Sequence, residues 1–289
     1  MKVWQRLSYG KWLVFSVMTL IMMVLSPMHV CSQDKKTVPA DVFFADFDFN
    51  DTALVHSEDF SRKMAEYVYQ YHGDESFGSQ DMAYIMCLKP LFEKAKVSMV
   101  LYEHILAFML NGFENIGADG VIDYLLRFPQ VEEKEISAEQ GKRLESIAEP
   151  YQKVKEGAKA PDVYGLTSDG ETYHLYDSKA EHILLVFWAT GCDYCHELLK
   201  NIVARLSGST DFEFVTFAIA ENEADWRENL EEMKLDGFHF YDEQRWGGKA
   251  FEDYHVTQAP TVFLLDADKT IVAKVYEWRD LKKTIKKLK

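Results

Sequence analysis

Two cysteines separated by two residues are the feature of this chain with the clearest chemistry. Cys192, Asp193, Tyr194 and Cys195 form a Cys-x-x-Cys motif, and His196 follows directly. Such a pair can cycle between a dithiol and a disulfide, whereas Cys-x-x-Cys-His is also the attachment signature of c-type haem. The spacing alone allows both chemistries, so the surrounding elements must decide between them.

A buried strand before the motif and a helix after it are predicted from the apolar pattern. His182–Trp188 is continuously apolar, which is typical of a strand covered on both faces. Cys195–Leu206 repeats apolar residues at three- and four-residue steps, which predicts an amphipathic helix. Because a helix N-terminus carries partial positive charge and unpaired N–H groups, it stabilises a thiolate at Cys192. We therefore expect Cys192 to attack a partner disulfide and Cys195 to resolve the mixed disulfide.

The same setting disfavours haem attachment. Haem ligation would make His196 an axial iron ligand within a small helical cytochrome, but the motif lies in a strand–helix alternation. We expect no haem, no metal and no cofactor beyond the redox-active disulfide Cys192–Cys195.

The second half of the chain alternates strands and helices, which predicts an α/β domain with a central sheet. An Asp-Gly turn favours a hairpin at its start. The hairpin is predicted over Asp162–Thr167 and Glu171–Leu175, further strands over Phe212–Ala220, Phe238–Tyr241, Thr261–Asp266 and Thr270–Glu277, and helices over Ala224–Lys234, Gly247–Tyr254 and Asp280–Leu288.

The first half repeats apolar residues at three- and four-residue steps, which predicts a separate, mostly α-helical domain over residues 40–150. Its helices are expected at Ser61–Tyr71, Met82–Phe92, Ala95–Leu110, Gly120–Phe128 and Ser137–Ala148, with Pro150–Ala160 as a connector. This half contains no evident catalytic constellation. Cys87 lies in an apolar helical run, so we expect a buried, inert thiol.

Residues 1–32 are predicted to be a secretory signal peptide. Basic residues precede the apolar run Trp12–Leu25, and a small-residue site follows at Val30–Ser32. The run is shorter than the roughly 20 residues of a membrane span. Export to the periplasm is therefore expected, with an uncleaved membrane anchor as the alternative.

Composition limits the class of partner. The chain is 47% hydrophobic and 27% charged, as expected for a globular protein, and its formal net charge is −15. Nucleic acid is excluded as a partner, because phosphate binding requires clustered Lys and Arg.

Two further motifs resemble the thioredoxin fold. Phe187–Ala189 before the dithiol and Val256–Asp266 near the end of the chain are similar to that family. The family's second motif has a cis-proline beside the dithiol that holds the partner chain. The resemblance implies this role for Pro260 and implies that the backbone of Ala259 pairs with the partner. Trp188, next to the dithiol, is a candidate for lining the site.

The opening Gly157–Asp162 (GAKAPD) narrows the resemblance to the exported TlpA/ResA-like branch, which starts with G-x-x-A-P-D. A thioredoxin-like domain is therefore expected over residues 157–289. More weakly, Phe44–Thr52 resembles helical domains that precede such modules in Bacteroidetes-type bacteria.

The resemblance implies a thiol–disulfide oxidoreductase that acts on disulfide-containing exported proteins and is supplied by an upstream membrane or periplasmic electron donor. The negative charge of Asp193 beside Cys192 disfavours the thiolate, which favours a protein-disulfide reductase. A DsbA-like oxidase or isomerase is one alternative. A partner-binding protein whose helical domain carries the function is another.

The sequence departs from the family where a proton acceptor is expected. Val186 occupies the place of a buried Asp in thioredoxin, and Leu198 the place of a Glu that TlpA/ResA-like proteins often carry. Glu197 is one residue early. The proton acceptor is left unassigned, and Asp193, Tyr194, His196 and Glu197 are candidates for tuning the dithiol.

Overall fold

The computed structural model describes residues 37–127 and 137–288. The predicted signal peptide over residues 1–32, including Cys31, lies outside the described residues. Contacts divide the chain into two compact units between Leu144 and Glu145. Within the described ranges, no helix combines the length and apolar character needed to cross a membrane.

The N-terminal unit is built from helices. They are α1 (Ala40–Phe43), α2 (Glu58–Tyr69), α3 (Gln80–Ala95), α4 (Met99–Asn115) and α5 (Asp119–Arg127), and α6 (Ala138–Lys153) follows across the boundary between the units. Short 3-10 turns occur at Thr52–His56 and Glu75–Phe77.

Serine side chains set where two of these helices begin. The hydroxyl of Ser57 accepts the N–H of Phe60 at 3.1 Å at the start of α2. The hydroxyl of Ser79 accepts the N–H of Met82 at 3.1 Å at the start of α3. Each cap supplies a partner to a backbone N–H that the helix itself leaves unbonded.

Two predicted boundaries in this unit are wrong. Ala95 ends α3, whereas it was expected to begin the next helix, which starts at Met99. The helix was expected to end at Phe92, whereas it continues to Ala95 and contains Pro90. Leu91, Phe92 and Ala95 beyond it are fully buried, so the packing of the last turn compensates for the backbone hydrogen bond that the proline removes.

The C-terminal unit is an α/β domain, which confirms the predicted fold class. Its elements are β1 (Tyr164–Leu166), β2 (Thr172–His174), β3 (His182–Ala189), α7 (Asp193–Leu206), β4 (Phe212–Ile219), α8 (Glu223–Met233), β5 (Phe238–Tyr241), α9 (Lys249–Asp253), β6 (Thr261–Asp266), β7 (Ile271–Val275) and α10 (Trp278–Lys287). The hairpin β1–β2 forms its own small sheet, and the main sheet has the order β5-β4-β3-β6-β7.

Strand β3 is central, parallel to β4 and antiparallel to β6. Its side chains alternate between the two faces of the sheet. Phe187 faces a core that also contains Phe251 of α9. Val186 and Trp188 face the opposite core, which contains Cys195 of α7. The sheet thus holds the end of β3 and the start of α7 in one apolar environment.

Pro150 was expected in a connector but lies within α6, which continues to Lys153. Tyr151 packs edge-on against His255 with ring centroids 4.4 Å apart, and Val154 just beyond is buried in the core of the C-terminal unit. This burial holds the last turn despite the proline.

Candidate active site

Cys192 is the N-cap residue of α7, so the helix begins two residues earlier than predicted. Its backbone is extended (φ −117°, ψ 103°), and its Sγ accepts the N–H of Cys195 at 3.2 Å. Its own N–H donates to the carbonyl of Ala189 at 3.2 Å. Because the sulfur lies where α7 presents unbonded N–H groups and partial positive charge, negative charge on Cys192 is stabilised there.

Cys192 and Cys195 are joined as a disulfide, with their Cα atoms 5.2 Å apart, which is within the usual range. The two sulfurs differ in access. Cys195 is fully buried in the core beneath α7, whereas Cys192 is half-buried at the surface. A partner disulfide can therefore reach Cys192 but not Cys195.

The loop before β6 passes directly beside the dithiol. The Ala259–Pro260 peptide bond is cis, and Cys192 Sγ lies 3.8 Å from the Ala259 carbonyl oxygen. Pro260 is buried and Ala259 half-buried. The structure thus brings together the dithiol and both residues that the resemblance assigned to partner binding.

Thr190 and Asp225 support the loop between β3 and Cys192, and sequence reasoning missed both. Asp225 on α8 accepts the hydroxyl of Thr190 at 2.5 Å and the N–H of Glu221 at 3.2 Å. The N–H of Thr190 donates to Ile219 O at 3.0 Å. These bonds tie the residues before Cys192 to β4 and α8. Because Thr190 and Asp225 are 35 residues apart, no local pattern could have identified the pair.

Trp188 and His196 contact each other beneath the start of α7. Their rings meet edge to face with centroids 6.2 Å apart. Trp188 Nε1 and His196 Nε2 are both buried, and neither has a hydrogen-bond partner within the described residues. Trp188 is fully buried. His196 was named from the sequence as a candidate for tuning the dithiol, and its Nε2 lies on the buried side of the ring.

The remaining tuning candidates lie on the outer surface. Asp193 and Glu197 are exposed, and Tyr194 is 79% exposed. Asp193, His196, Glu197, Lys200 and Asn201 line a shallow depression on α7. In the ranges that the structure covers, no three His, Cys, Asp or Glu side chains are grouped to hold a metal ion.

The positions where the family carries acidic groups are apolar and buried. Val186 and Leu198 both lie in the core that contains Cys195. Their side chains cannot accept a proton, which agrees with leaving the acceptor unassigned from the sequence.

Comparisons with known proteins agree with this arrangement. Residues 155–288 match the family model described as Redoxin. No protein of curated function matches the chain. Among solved structures, a thioredoxin-like protein from Bacteroides caccae is similar at 17% identity over 91% of this chain and 100% of that chain, with a TM-score of 0.54. This likeness supports the thioredoxin-like fold.

Two other solved structures are similar over less than half of this chain. The thioredoxin domain of a thiol-disulfide oxidoreductase from Bacteroides vulgatus is 26% identical over 46% of this chain and 97% of that chain, with a TM-score of 0.42. A thiol:disulfide interchange protein from Bacteroides sp. is 26% identical over 46% of this chain and 90% of that chain, with a TM-score of 0.42.

Proposed function

We propose, from the premise that residues 155–288 form a Redoxin-family domain of thioredoxin-like fold, that this chain is a thiol–disulfide oxidoreductase. Its role is to reduce disulfides in other exported proteins through Cys192 and Cys195. An upstream membrane or periplasmic donor returns the pair to the dithiol state. The dithiol serves without a further cofactor.

The observation that carries the proposal is the asymmetry of the disulfide. Cys192 is accessible at the N-terminus of α7, and Cys195 is buried one helical turn further on. Thiol–disulfide exchange by a dithiol needs one sulfur that a partner disulfide can approach. It also needs a second sulfur close by that resolves the mixed disulfide. The Ala259 carbonyl, 3.8 Å from Cys192 Sγ, lies where an extended partner chain can pair with the backbone.

The reaction follows from this geometry in two displacements. The Cys192 thiolate attacks one sulfur of the partner disulfide, which releases the other sulfur as a thiolate and forms a mixed disulfide. Cys195 then loses its proton and attacks Cys192 Sγ, so the partner leaves with its second thiol. Two electrons pass from the dithiol to the partner, and Cys192–Cys195 becomes the disulfide.

The direction of electron flow is inferred from charge. Asp193 is the first residue of α7 and directly follows Cys192 in the chain. Negative charge near the sulfur opposes the Cys192 thiolate and so destabilises the reduced form. A less stable thiolate gives a lower reduction potential, as a reductase requires, whereas a DsbA-like oxidase has a very stable one.

A trapping variant tests the reaction. Cys195→Ser leaves Cys192 able to attack but removes the resolving thiol. This variant should accumulate covalent complexes with disulfide-containing periplasmic proteins that dissolve on addition of dithiothreitol, as seen on non-reducing gels. The matched control is the double variant Cys192→Ser/Cys195→Ser, which should form none. Equal yields from both variants would contradict the proposal.

The reduction potential tests the direction. We expect a two-thiol transition near or below the thioredoxin value of about −270 mV, measured by alkylation and mass spectrometry after equilibration in thiol buffers. A transition near the DsbA value of about −120 mV would instead identify an oxidase or isomerase. If Cys192 and Cys195 do not interconvert between dithiol and disulfide, the proposed enzyme function is wrong.

A cleft in the N-terminal unit favours a second candidate function, in which the helical domain binds a ligand or partner. The cleft has a volume of about 380 Å³ and lies between α2, α3 and α4. Its walls are mostly apolar, and pockets of this size and character bind small molecules. The lining includes Val68, Tyr69, His72, Tyr84, Phe108, Met109, Gly112, Phe113 and Ile116.

Gly112 offers a direct test of this second function. Gly112 lines the cleft, and a Cβ added there would meet nothing within 4 Å, so the side chain of Gly112→Leu should occupy part of the cleft. We expect the wild type to enhance the fluorescence of 1-anilinonaphthalene-8-sulfonate and Gly112→Leu to reduce the enhancement severalfold. The matched control is Gly112→Ala, which leaves most of the volume open. If the fluorescence enhancement is equal in all three proteins, the dye does not bind in the cleft and the second candidate function loses its support.

A further inference from the structure

The cleft of the N-terminal unit has a polar side and an apolar side. All of the polar side chains that line it belong to residues 69–84, whereas the lining residues between 108 and 118 are apolar or glycine. The class of ligand that the cleft accepts, which rests on the proposed binding function of the helical domain, depends on the charge of the polar side. A ligand that fills the cleft meets polar groups on one side and hydrocarbon on the other.

Asp81 gives the polar side a negative charge. It is the one carboxylate in the lining that the structure describes, and no Lys or Arg lines the cleft with it. The side chain of Asp81 is half-buried and has no hydrogen bond or ion pair with a described residue. A carboxylate that is drawn partly out of water without a partner costs free energy. A bound cation would supply the missing partner.

Two helix starts hold this carboxylate at the cleft. Asp81 lies in the first turn of α3, and a Cβ added at Gly120, in the first turn of α5, would collide with Asp81 Oδ2. The partial positive charge of a helix start stabilises a carboxylate. It is smaller than a full charge, so the polar side stays negative and still attracts a cation.

Aromatic rings continue the polar side beyond Asp81. Tyr84 follows Asp81 by three residues on α3, which places both on one face of the helix. The ring of His72 stacks on Tyr84 and on Tyr69, with centroids 6.5 Å and 5.8 Å apart. His72 Nδ1 lies 2.8 Å from the Tyr84 hydroxyl. Because the faces of tyrosine rings attract cations, these rings favour the same charge as Asp81.

An anionic group would find no matching charge in this lining. The amide of Gln80 is already engaged, since its Nε2 donates to Tyr71 O at 3.1 Å and its Oε1 accepts the N–H of Gly73 at 2.6 Å. Gln80 thus holds the connection between α2 and α3. Asp81 would repel a carboxylate or phosphate on the ligand, so the lining disfavours fatty acids and other anionic amphiphiles.

We propose that this cleft binds a small cationic amphiphile, with its apolar body against α4 and its amine or quaternary ammonium group beside Asp81 and Tyr84. The cleft volume of about 380 Å³ is in the range of pockets that hold small molecules. Burial of the body against the apolar side provides affinity, and Asp81 provides the preference for positive charge.

Three naphthalene probes with one ring system and different head groups test this preference. They are (2-naphthylmethyl)trimethylammonium, 2-naphthalenemethanol and 2-naphthaleneacetate. Equilibrium dialysis against the full chain gives the three dissociation constants, at about pH 8.5, where a free imidazole carries little charge. We expect the ammonium to bind at least about threefold more tightly than the alcohol, and the acetate at least about threefold more weakly, as for a partly exposed ion pair.

Variants at Asp81 test the source of the preference. Asp81→Asn should bring the three constants to within about twofold of one another, because the charge that distinguishes the head groups is gone. It should also strengthen the binding of 1-anilinonaphthalene-8-sulfonate, which is an anion. Asp81→Glu keeps the charge and should keep the order of the probes. Glu66→Gln neutralises an exposed carboxylate of α2 outside the lining and is the matched control, which should leave all three constants unchanged.

Gly112→Leu separates the charge preference from binding in the cleft itself. Its added side chain should weaken all three probes alike. If no probe binds, or if Gly112→Leu binds them as tightly as the wild type, the second candidate function and the cationic ligand are both wrong. If Gly112→Leu weakens binding but the wild type does not distinguish the head groups, the cleft binds ligands and only the cationic class is wrong. An order that persists in Asp81→Asn would overturn the role of Asp81.

Discussion

Cys87 and Cys192 are both cysteines, but Cys87 lies in the interior of its helix and Cys192 lies at the start of another. Cys87 lies in the middle of α3, is fully buried, and carries a pKa raised by burial. Cys192 caps the start of α7, where its sulfur accepts an N–H and remains accessible. Burial opposes a thiolate and the helix N-terminus favours one. The comparison shows that position on the helix and burial together decide whether a thiol can react.

The largest expected effect is on alkylation. In the reduced protein under native conditions, iodoacetamide should modify Cys192 at least about 1,000-fold faster than Cys87, because Cys87 can react only when its unit opens, at a cost of several kcal/mol. Peptide mass spectrometry over a time course measures both rates in one sample. Rates within tenfold of each other would contradict the comparison.

Moving a thiol to a helix start should reproduce the reactive environment. Ser79 caps α3, the helix that contains Cys87. In a protein with Cys192→Ser and Cys195→Ser, the variant Ser79→Cys should be alkylated at least about 100-fold faster than Cys87. Ser76→Cys, at an exposed position before the helix, is the control and should react more slowly than Ser79→Cys. If position 79 is no faster than position 76, exposure alone explains the rates.

Function and stability should separate between the two cysteines. Cys192→Ser should abolish disulfide reduction while leaving the free energy of unfolding of the reduced protein nearly unchanged, because serine is a favoured N-cap. Cys87→Ala should leave reduction intact and lower the free energy of unfolding by about 1–2 kcal/mol, through a small cavity. Urea denaturation and an insulin-reduction assay check the two effects. If Cys87→Ala loses activity while it remains folded, Cys87 takes part in the reaction and the prediction that it is only structural is wrong.

The smallest expected effect concerns a group that, like Cys87, is held neutral by burial. Burial lowers the pKa of His239, opposed by its hydrogen bond to Leu235 O. Its other ring nitrogen lies 2.9 Å from the Thr216 hydroxyl. Because the folded pKa lies below the unfolded value of about 6.5, the stabilisation is complete above that pH and declines as the pH falls through the folded pKa.

Urea midpoints measured from pH 7.5 to pH 5.0 check this dependence for the C-terminal unit. The wild type should lose stability over the acid part of the range, and His239→Gln should show a flatter profile. The matched control is His174→Gln at a position outside the core. If His239→Gln has the same pH dependence of the urea midpoint as the wild type, His239 does not cause the loss of stability in acid.

Local patterns predicted most of the fold. The apolar run at β3 and the stripe along α7 placed a strand before the dithiol and a helix after it, because burial imposes a period of two or of 3.6 residues on neighbouring positions. Helix ends were less well predicted. Pro150 was expected in a connector, but the packing of the following turn keeps it within α6.

At the site too, some features follow from local sequence and others from tertiary packing. Cys192, Cys195 and the residues between them are contiguous, so the sequence by itself determined the dithiol and its place at a helix start. Only the tertiary structure decided that the Ala259 carbonyl lies 3.8 Å from a sulfur 67 residues away, that Asp225 holds Thr190, and that His196 turns one nitrogen inward against Trp188. Such contacts depend on how the sheet and helices pack across long separations, and local periodicity carries no information about that packing.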